Sequence, residues 1–435
     1  MVLKPLIMLA ALILGLPSPA FTQQQATDNS QRPLQTAVRA ARLLDVKTGT
    51  LINNAVVLIE GERISAVGSG LPIPVGAKVI DLGDVTLLPG LIDCHTHLLA
   101  SDTADYGKML LTKSQAYRAL EGASNARRTL LAGFTSVRDA GNEGAGYADV
   151  ALRDAINRGL IEGPRMKVAT RAIAAVGQGY HPSGISPDLP DFPRGAQMVS
   201  GVEEARRAVR EQIGNGADLI KVYADWANYP TLTPEELRVI VEEAHKAGKT
   251  VAAHGQATSE GIRNAVNAGV DSIEHGDRAD RATLELMKQK GVWLVPTFGV
   301  QLRRLADFKD DEARFKRLSV YIQEKQKMLQ TARELGVKVA LGYDPARAEI
   351  HGTNAREIEA LTTAGFTNLE SIRAATTNGA ELLGWQDRVG SLEAGKFADI
   401  IAVPGNPLAE IKQLEHVTFV MKGGVVVKEE HKVIR

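Results

Sequence analysis

The sequence predicts an α/β protein: a (β/α)8 TIM barrel joined to a small β-sandwich domain formed from both termini. Three observations predict it. Short β-like runs divided by turn residues occur near both ends of the 435-residue chain. Between them, eight apolar strand-like runs alternate with helical stretches, the texture of βα units around a parallel sheet. A hydrophobic content of 44% against 23% charged residues is enough apolar material for one large core and a smaller one.

Taken in order, residues 1–20 stand apart. Lys4 supplies a short positive start, Pro5 to Leu16 is almost wholly apolar, and Ser18-Pro19-Ala20 is a small-residue cleavage pattern. This is the make-up of a signal peptide, too short for a span of roughly twenty apolar residues. It implies a secreted or periplasmic mature protein; an uncleaved anchor is the alternative. Residues 21–35 read as a polar, flexible leader.

Residues 36–86 carry runs such as Ala55-Val56-Val57-Leu58-Ile59 between turns at Asn53-Asn54 and Gly61-Glu62. The same texture returns in 389–435, around Pro404-Gly405 and Gly423-Gly424, so the two pieces are expected to form one composite β-sandwich. The barrel is expected over 87–388. Its strand-like runs are 88–97, 134–139, 166–170, 219–223, 250–254, 272–275, 292–297 and 337–344. Helices are expected at 201–213, 233–247 and 282–289, and the charged stretch 301–335 reads as a solvated outer helix.

The charge balance, 51 basic against 51 acidic residues, lacks the basic footprint of a nucleic-acid binder and any acidic tail. A single cysteine, Cys94, excludes a disulfide framework. No membrane partner is expected once the signal segment is removed.

In a barrel of this kind chemistry sits at the C-terminal ends of the strands. The first run ends in Asp93-Cys94-His95-Thr96-His97, the fifth in His254, the sixth in Glu274-His275 and the eighth in Asp344; Lys221 lies in the fourth. His95 and His97, two apart on a strand, share a face and can hold one metal ion, while Cys94 faces the other way as core packing. Such a pair is common by chance. With His254, His275 and Asp344 at further strand ends, it points to a metal site. Lys221 leaves two readings open. A protonated lysine has no lone pair for a metal, so it either pairs with a nearby carboxylate or becomes a carbamate by reaction with carbon dioxide.

The segment Leu87-Leu88-Pro89-Gly90-Leu91-Ile92-Asp93-Cys94-His95-Thr96-His97, with Ile273-Glu274-His275-Gly276 and Gly390-Ser391-Leu392-Glu393-Ala394-Gly395-Lys396-Phe397-Ala398-Asp399, resembles the amidohydrolase superfamily of metal-dependent hydrolases. The nearest look is to its imidazolonepropionase-like and Xaa-Pro-dipeptidase-like (prolidase) branch. The resemblance implies a binuclear centre of two divalent ions. His95 and His97 would hold the more buried ion, His254 and His275 the more exposed one, and a carboxylated Lys221 would bridge them. Asp344 would complete the first ion's shell and carry the proton as catalytic acid and base. Zinc best suits a His-rich, oxygen-completed set, although manganese, cobalt or nickel fit the same ligands.

Substrate contacts are sought on the loops after the strands. His181, in the turn-rich 177–184 loop, is a candidate to stabilise the oxyanion. Tyr223 or Tyr229 could hold a substrate carboxylate or simply pack. Arg138 and Asp139 suit either a supporting ion pair or substrate contact, and His351 is a weaker candidate. His245, His416 and His431 read as structural. The implied function is hydrolysis of small dipeptides, N-acyl amino acids or related amide-linked compounds, a mycotoxin among them, by a metal-bridging hydroxide. A cyclic-amide (lactam) hydrolase is the alternative enzyme, and a non-catalytic metal-binding protein the alternative of another class. A homo-oligomer is expected.

Overall fold

The computed structural model describes residues 35–100, 105–178, 194–226 and 229–429. The expected signal peptide, nearly all of the leader, the loop with His181, and His431 therefore lie outside the described residues.

Five strands come first: β1 (Gln35–Asp45), β2 (Thr50–Glu60), β3 (Arg63–Ser69), β4 (Lys78–Asp81) and β5 (Val85–Pro89). Then follow β6 (Leu91–Thr96), β7 (Phe134–Asp139), β8 (Arg165–Val168), β9 (Ala172–Ala175), β10 (Ala196–Val199), β11 (Leu219–Tyr223), β12 (Asp225–Trp226), β13 (Tyr229–Pro230), β14 (Thr250–Gly255), β15 (Ser272–His275) and β16 (Trp293–Val295). The chain closes with β17 (Ile400–Pro404), β18 (Phe419–Lys422) and β19 (Val425–Glu429).

β1–β5 and β17–β19 share one eight-stranded sheet. Its central strand is β5, parallel to β1 through Leu43↔Leu87 and antiparallel to β17 through Leu88↔Ile401, which is how the two ends of the chain meet. Val38, Val57, Ile59, Ile64, Leu87, Ile400 and Phe419 are buried together there. The run 88–97 is therefore not one strand. It breaks at Gly90, whose amide bonds the Asp399 carbonyl at 2.9 Å. Any side chain at Gly90 would strike Thr135, with a Cβ 2.1 Å from its Oγ1.

The barrel strands are parallel, in two ladders: β6-β7-β8 and β10-β9-β11-β14-β15-β16. The ladders do not run unbroken round the ring. Across one gap the Asp218 amide donates to the Val168 carbonyl at 2.8 Å. Across the other lies the segment 337–344, which bonds β16 through Leu294 N to Lys338 O at 2.8 Å and β6 through Cys94 N to Leu341 O at 2.8 Å. That segment was expected to be a strand; it makes only an isolated bridge, Leu294↔Val339. The short pieces β9, β10, β12 and β13 had no signal strong enough to be expected.

Helices surround the strands for ordinary local reasons. Pro234–Lys246 begins with a reciprocal capping box between Thr233 and Glu236, with Pro234 in the first turn. Arg281–Lys290 is capped by Asp280 and ends at Gly291 in the left-handed region. The stretch 301–335 is not one solvated helix. It splits into Phe298–Asp307 and Glu312–Leu335, and the second buries Ile322, Lys325, Met328, Leu329 and Ala332 along one stripe. Lys325 is fully buried and pairs with Asp277 at 2.5 Å. Among the described residues no helix is long and apolar enough to cross a membrane.

The approach of segment 337–344 to β6 has one tight point. A Cβ at Gly342 would lie 2.3 Å from Val295 Cγ1 and 2.6 Å from His95 Cβ, both in the packed interior. Gly342→Ala is expected to lower stability by about 1–3 kcal/mol, as overpacking does, and to displace His95; thermal unfolding at the wild-type melting temperature would argue against this packing.

Candidate metal centre

The site is assembled where the strands end. β6 delivers His95 and His97, and Asp344 follows from the segment beside it, its amide bonded to the His95 carbonyl at 2.8 Å. β14 delivers His254 and β15 delivers His275, with Gly255↔His275 in register. Strand alternation alone would turn Glu274 and His275 to opposite sides. The backbone resolves this by entering the left-handed region at His275 (φ 69°), as it does at Thr297 (φ 51°) and Asp344 (φ 60°). Non-glycine residues seldom adopt that region, and such positions gather where function demands a side-chain direction.

Four imidazoles stand close together. Ring centroids are 5.1 Å apart for His95–His97 and His95–His275, and 4.5 Å for His254–His275. The Nε2 atoms of His95 and His97 are 3.2 Å apart, and Asp344 Oδ1 lies 3.8 Å and 3.4 Å from them. One ligand atom from each of His95, His275 and Asp344 falls within a 4.8 Å cluster. The distal nitrogens are occupied: His95 Nδ1 faces Glu274 Oε2 at 2.6 Å, His97 Nδ1 the Gly141 carbonyl at 2.9 Å, and His275 Nδ1 the Thr297 hydroxyl at 2.8 Å. With a proton on each Nδ1, the Nε2 lone pairs are left facing inward.

Burial pushes His95, His254 and His275 well below the ordinary imidazole range, and neighbouring positive groups push the same way: Lys221 for the first two, His254 for the third. Neutral imidazole is the form that binds a metal. At His97 burial is outweighed by Glu143 and Asp344, and its pKa is raised. Burial raises the Asp344 carboxyl, with His97 and Lys221 opposing. Lys221 on β11 is buried, its Nζ has no hydrogen-bond partner among the described residues, and burial lowers its pKa to about 8.

These observations test the fit of a metal group. Two Nε2 lone pairs 3.2 Å apart repel unless a proton or a cation lies between them. Zn–N bonds of about 2.0–2.1 Å at a tetrahedral angle put two nitrogens roughly 3.3 Å apart. A buried Lys221 amine with no hydrogen-bond partner among the described residues is costly as it stands, and a carbamate facing cations would relieve that cost. The donor set fits divalent metal.

The sequence assigns no role to Glu274 and Asp93 and leaves Arg138 and Asp139 open between two. Glu274 accepts from His95 and also from Arg138 Nη2 and Ser272 Oγ, both at 2.6 Å. Arg138 reaches the Cys94 carbonyl as well, at 2.5 Å, so the open question over it resolves to a buried supporting ion pair. Asp139 is buried and accepts from the Leu98 amide at 2.7 Å and the Thr96 hydroxyl at 3.3 Å. Asp93, pushed up to about 7 by burial, ties His95 N and Tyr343 N to Asn354. The "Glu-His" and "Asp-x-His" spacings were the signals that could have found Glu274 and Asp93.

The substrate candidates separate. Tyr223 is buried, with its ring 5.0 Å from that of His254 and 6.0 Å from Trp226. Tyr229 is exposed, on the short β12–β13 ladder. His351 is buried, with Nε2 3.2 Å from the Ala100 carbonyl, and burial lowers its pKa to about 4.

Comparison with known proteins agrees with this geometry. The chain belongs to the amidohydrolase family, whose pattern matches residues 86–427. It is 35% identical to an ochratoxinase of Aspergillus niger over 424 residues, 89% of this chain and 86% of that one. A crystal structure of a Xaa-Pro dipeptidase with methionine bound in its active site superposes with a TM-score of 0.82 at 33% identity, covering 91% of this chain and all of the other. An imidazolonepropionase of Micrococcus luteus is 26% identical over 374 residues, 81% of this chain and 88% of that one. The fold is thus the barrel with a terminal sheet domain, and the protein is a hydrolase acting on amide bonds.

Because Glu274 fixes the His95 ring and neutralises Arg138, Glu274→Gln is expected to weaken metal binding by roughly 10- to 100-fold. Titration against a chelator measures this, and unchanged affinity would remove Glu274 from that role.

Proposed function

We propose that the protein is a binuclear metal-dependent hydrolase that cleaves small dipeptides and N-acyl amino acids. The observation that carries this reading is the convergence of His95, His97, His254 and His275 with a buried, unpartnered Lys221 amine and Asp344. His95 and His97 would hold one ion and His254 and His275 the other, with Lys221 as a carbamate between them. The relatives support the substrate class: an ochratoxinase and a dipeptidase with a bound amino acid. The first twenty residues belong to the same proposal as an export signal, which would put the enzyme where extracellular amides are met.

Bound divalent cations would polarise the scissile carbonyl and make water acidic near neutral pH. The rest is done by the chain. Asp344, its side chain 23% exposed, lies beside His95 and His97 and is more open to solvent than Glu143, the other carboxylate next to His97, at 11%. It accepts the proton of the attacking water and returns it to the departing amine nitrogen. Tyr223 and Trp226 form an aromatic wall beside His254, suited to the apolar side chain of a substrate residue. Glu274 and Arg138 keep the His95 ring in place while charge shifts at the site.

Profiling a library of dipeptides and N-acyl amino acids with wild-type and Asp344→Asn protein tests the reading. Turnover of at least one class is expected, falling by roughly 10²–10⁴-fold in the variant while some metal is retained. No hydrolysis of any amide by metal-loaded protein, or an unimpaired variant, would overturn it.

A further inference from the structure

At the opposite end of the barrel from the metal centre is a cleft of about 530 Å³ among the N-terminal ends of β8, β11 and β14. Its lining includes five basic side chains, Arg153, Arg165, Lys167, Lys249 and Arg388, against two acids, Asp154 and Asp218. Both acids are already taken: Arg153 holds Asp218 at 2.7 Å and Asp154 at 2.9 Å. Arg165 is likewise satisfied, by Asp399 at 3.0 Å.

That leaves Lys167, Lys249 and Arg388. Among the described residues none of the three has a salt-bridge partner within 4 Å. Lys167 Nζ and Arg388 Cζ both stand over the ring of Trp385, 5.6 Å and 5.3 Å from its centroid. Arg388 is also 5.4 Å from the Phe397 ring, which Arg165 and Arg63 flank at 3.7 Å and 4.4 Å. Aromatic faces, which offset positive charge weakly, and the more distant Asp218 and Asp399 carboxylates, both already paired with arginines, are what face these three cations. Burial lowers the Lys167 pKa, and Lys249 and Arg388 push it the same way while Asp218 opposes. Like charges gathered round a cleft with their acids committed elsewhere are relieved by an anion entering it. Two ammonium groups and one guanidinium fork suit a tetrahedral group with several charged oxygens.

We propose that this cleft binds a dianionic phosphoryl group, free or as a monoester, through Lys167, Lys249 and Arg388. The site is separate from the amide-cleaving centre and rests on no property of it.

Trp385, one of three tryptophans, reports on the cleft directly. Full-length, metal-loaded protein is titrated with inorganic phosphate in one arm and glycerol 3-phosphate in the other, at ionic strength held constant with chloride. Tryptophan fluorescence and thermal unfolding are followed together. A saturable fluorescence change with a matching rise in melting temperature is expected in at least one arm, and the arm that responds identifies the free or esterified form. Lys249→Met and Arg388→Gln are each expected to weaken binding about tenfold, the loss of one charge-assisted contact, without change in metal content. Arg388 is exposed, so its variant decides the matter should the lysine variant fold poorly. No saturable response beyond chloride in either arm would overturn the proposal. So would a response that survives Arg388→Gln, since the anion would then sit elsewhere, for instance on the metals.

Discussion

Four imidazole rings and one lysine amine, all taken out of water and pointed into the same space, set the terms for everything else in this molecule. Burial keeps His95, His254 and His275 neutral, and Lys221 has no hydrogen-bond partner among the described residues. A cluster like this has a high energy as bare protein, because lone pairs face lone pairs and a polar amine faces none. Folding stability won elsewhere has to hold it. The large apolar core between strands and helices and the second core in the terminal sheet do so.

The support is specific as well as bulk. Arg138, Glu274 and Ser272 form a fully buried network beneath His95, and Asp93 and Asn354 join β6 to the segment that carries Asp344. Gly342 lets that segment lie against His95. The three left-handed residues at His275, Thr297 and Asp344 are local strain held by this surrounding structure.

Much of this was legible in the sequence, and the reasons are physical. Strand-end histidines are visible because β periodicity is simple: His95 and His97 two apart, His254 and His275 each closing an apolar run. β7, β11 and β15 appear where their apolar runs lie, since buried parallel strands are continuous hydrophobic stretches. What stayed hidden depends on contacts distant in sequence. Gly90 divides an unbroken apolar run because Thr135 crosses there, and Lys325 looks like a surface charge until Asp277 is placed beside it. The partner of Arg138 lies 136 residues away, beyond any local pattern. Segment 337–344 has the composition of a strand but makes two backbone bonds each to β16 and β6 and forms only an isolated bridge, so apolar content overstated its regularity.

The central proposal is that the Lys221 amine, once deprotonated and carboxylated to a carbamate anion, would join two cations held by the four histidines. The most direct test is the number of divalent ions bound per chain when chelator-stripped protein is reloaded with zinc, with and without bicarbonate. The account predicts two ions per chain with bicarbonate and fewer without it. At fixed dissolved carbon dioxide, loading should quicken as pH rises past about 8, where the buried amine loses its proton. A stoichiometry of one or none with bicarbonate present, or two ions bound equally well in its absence, would contradict it.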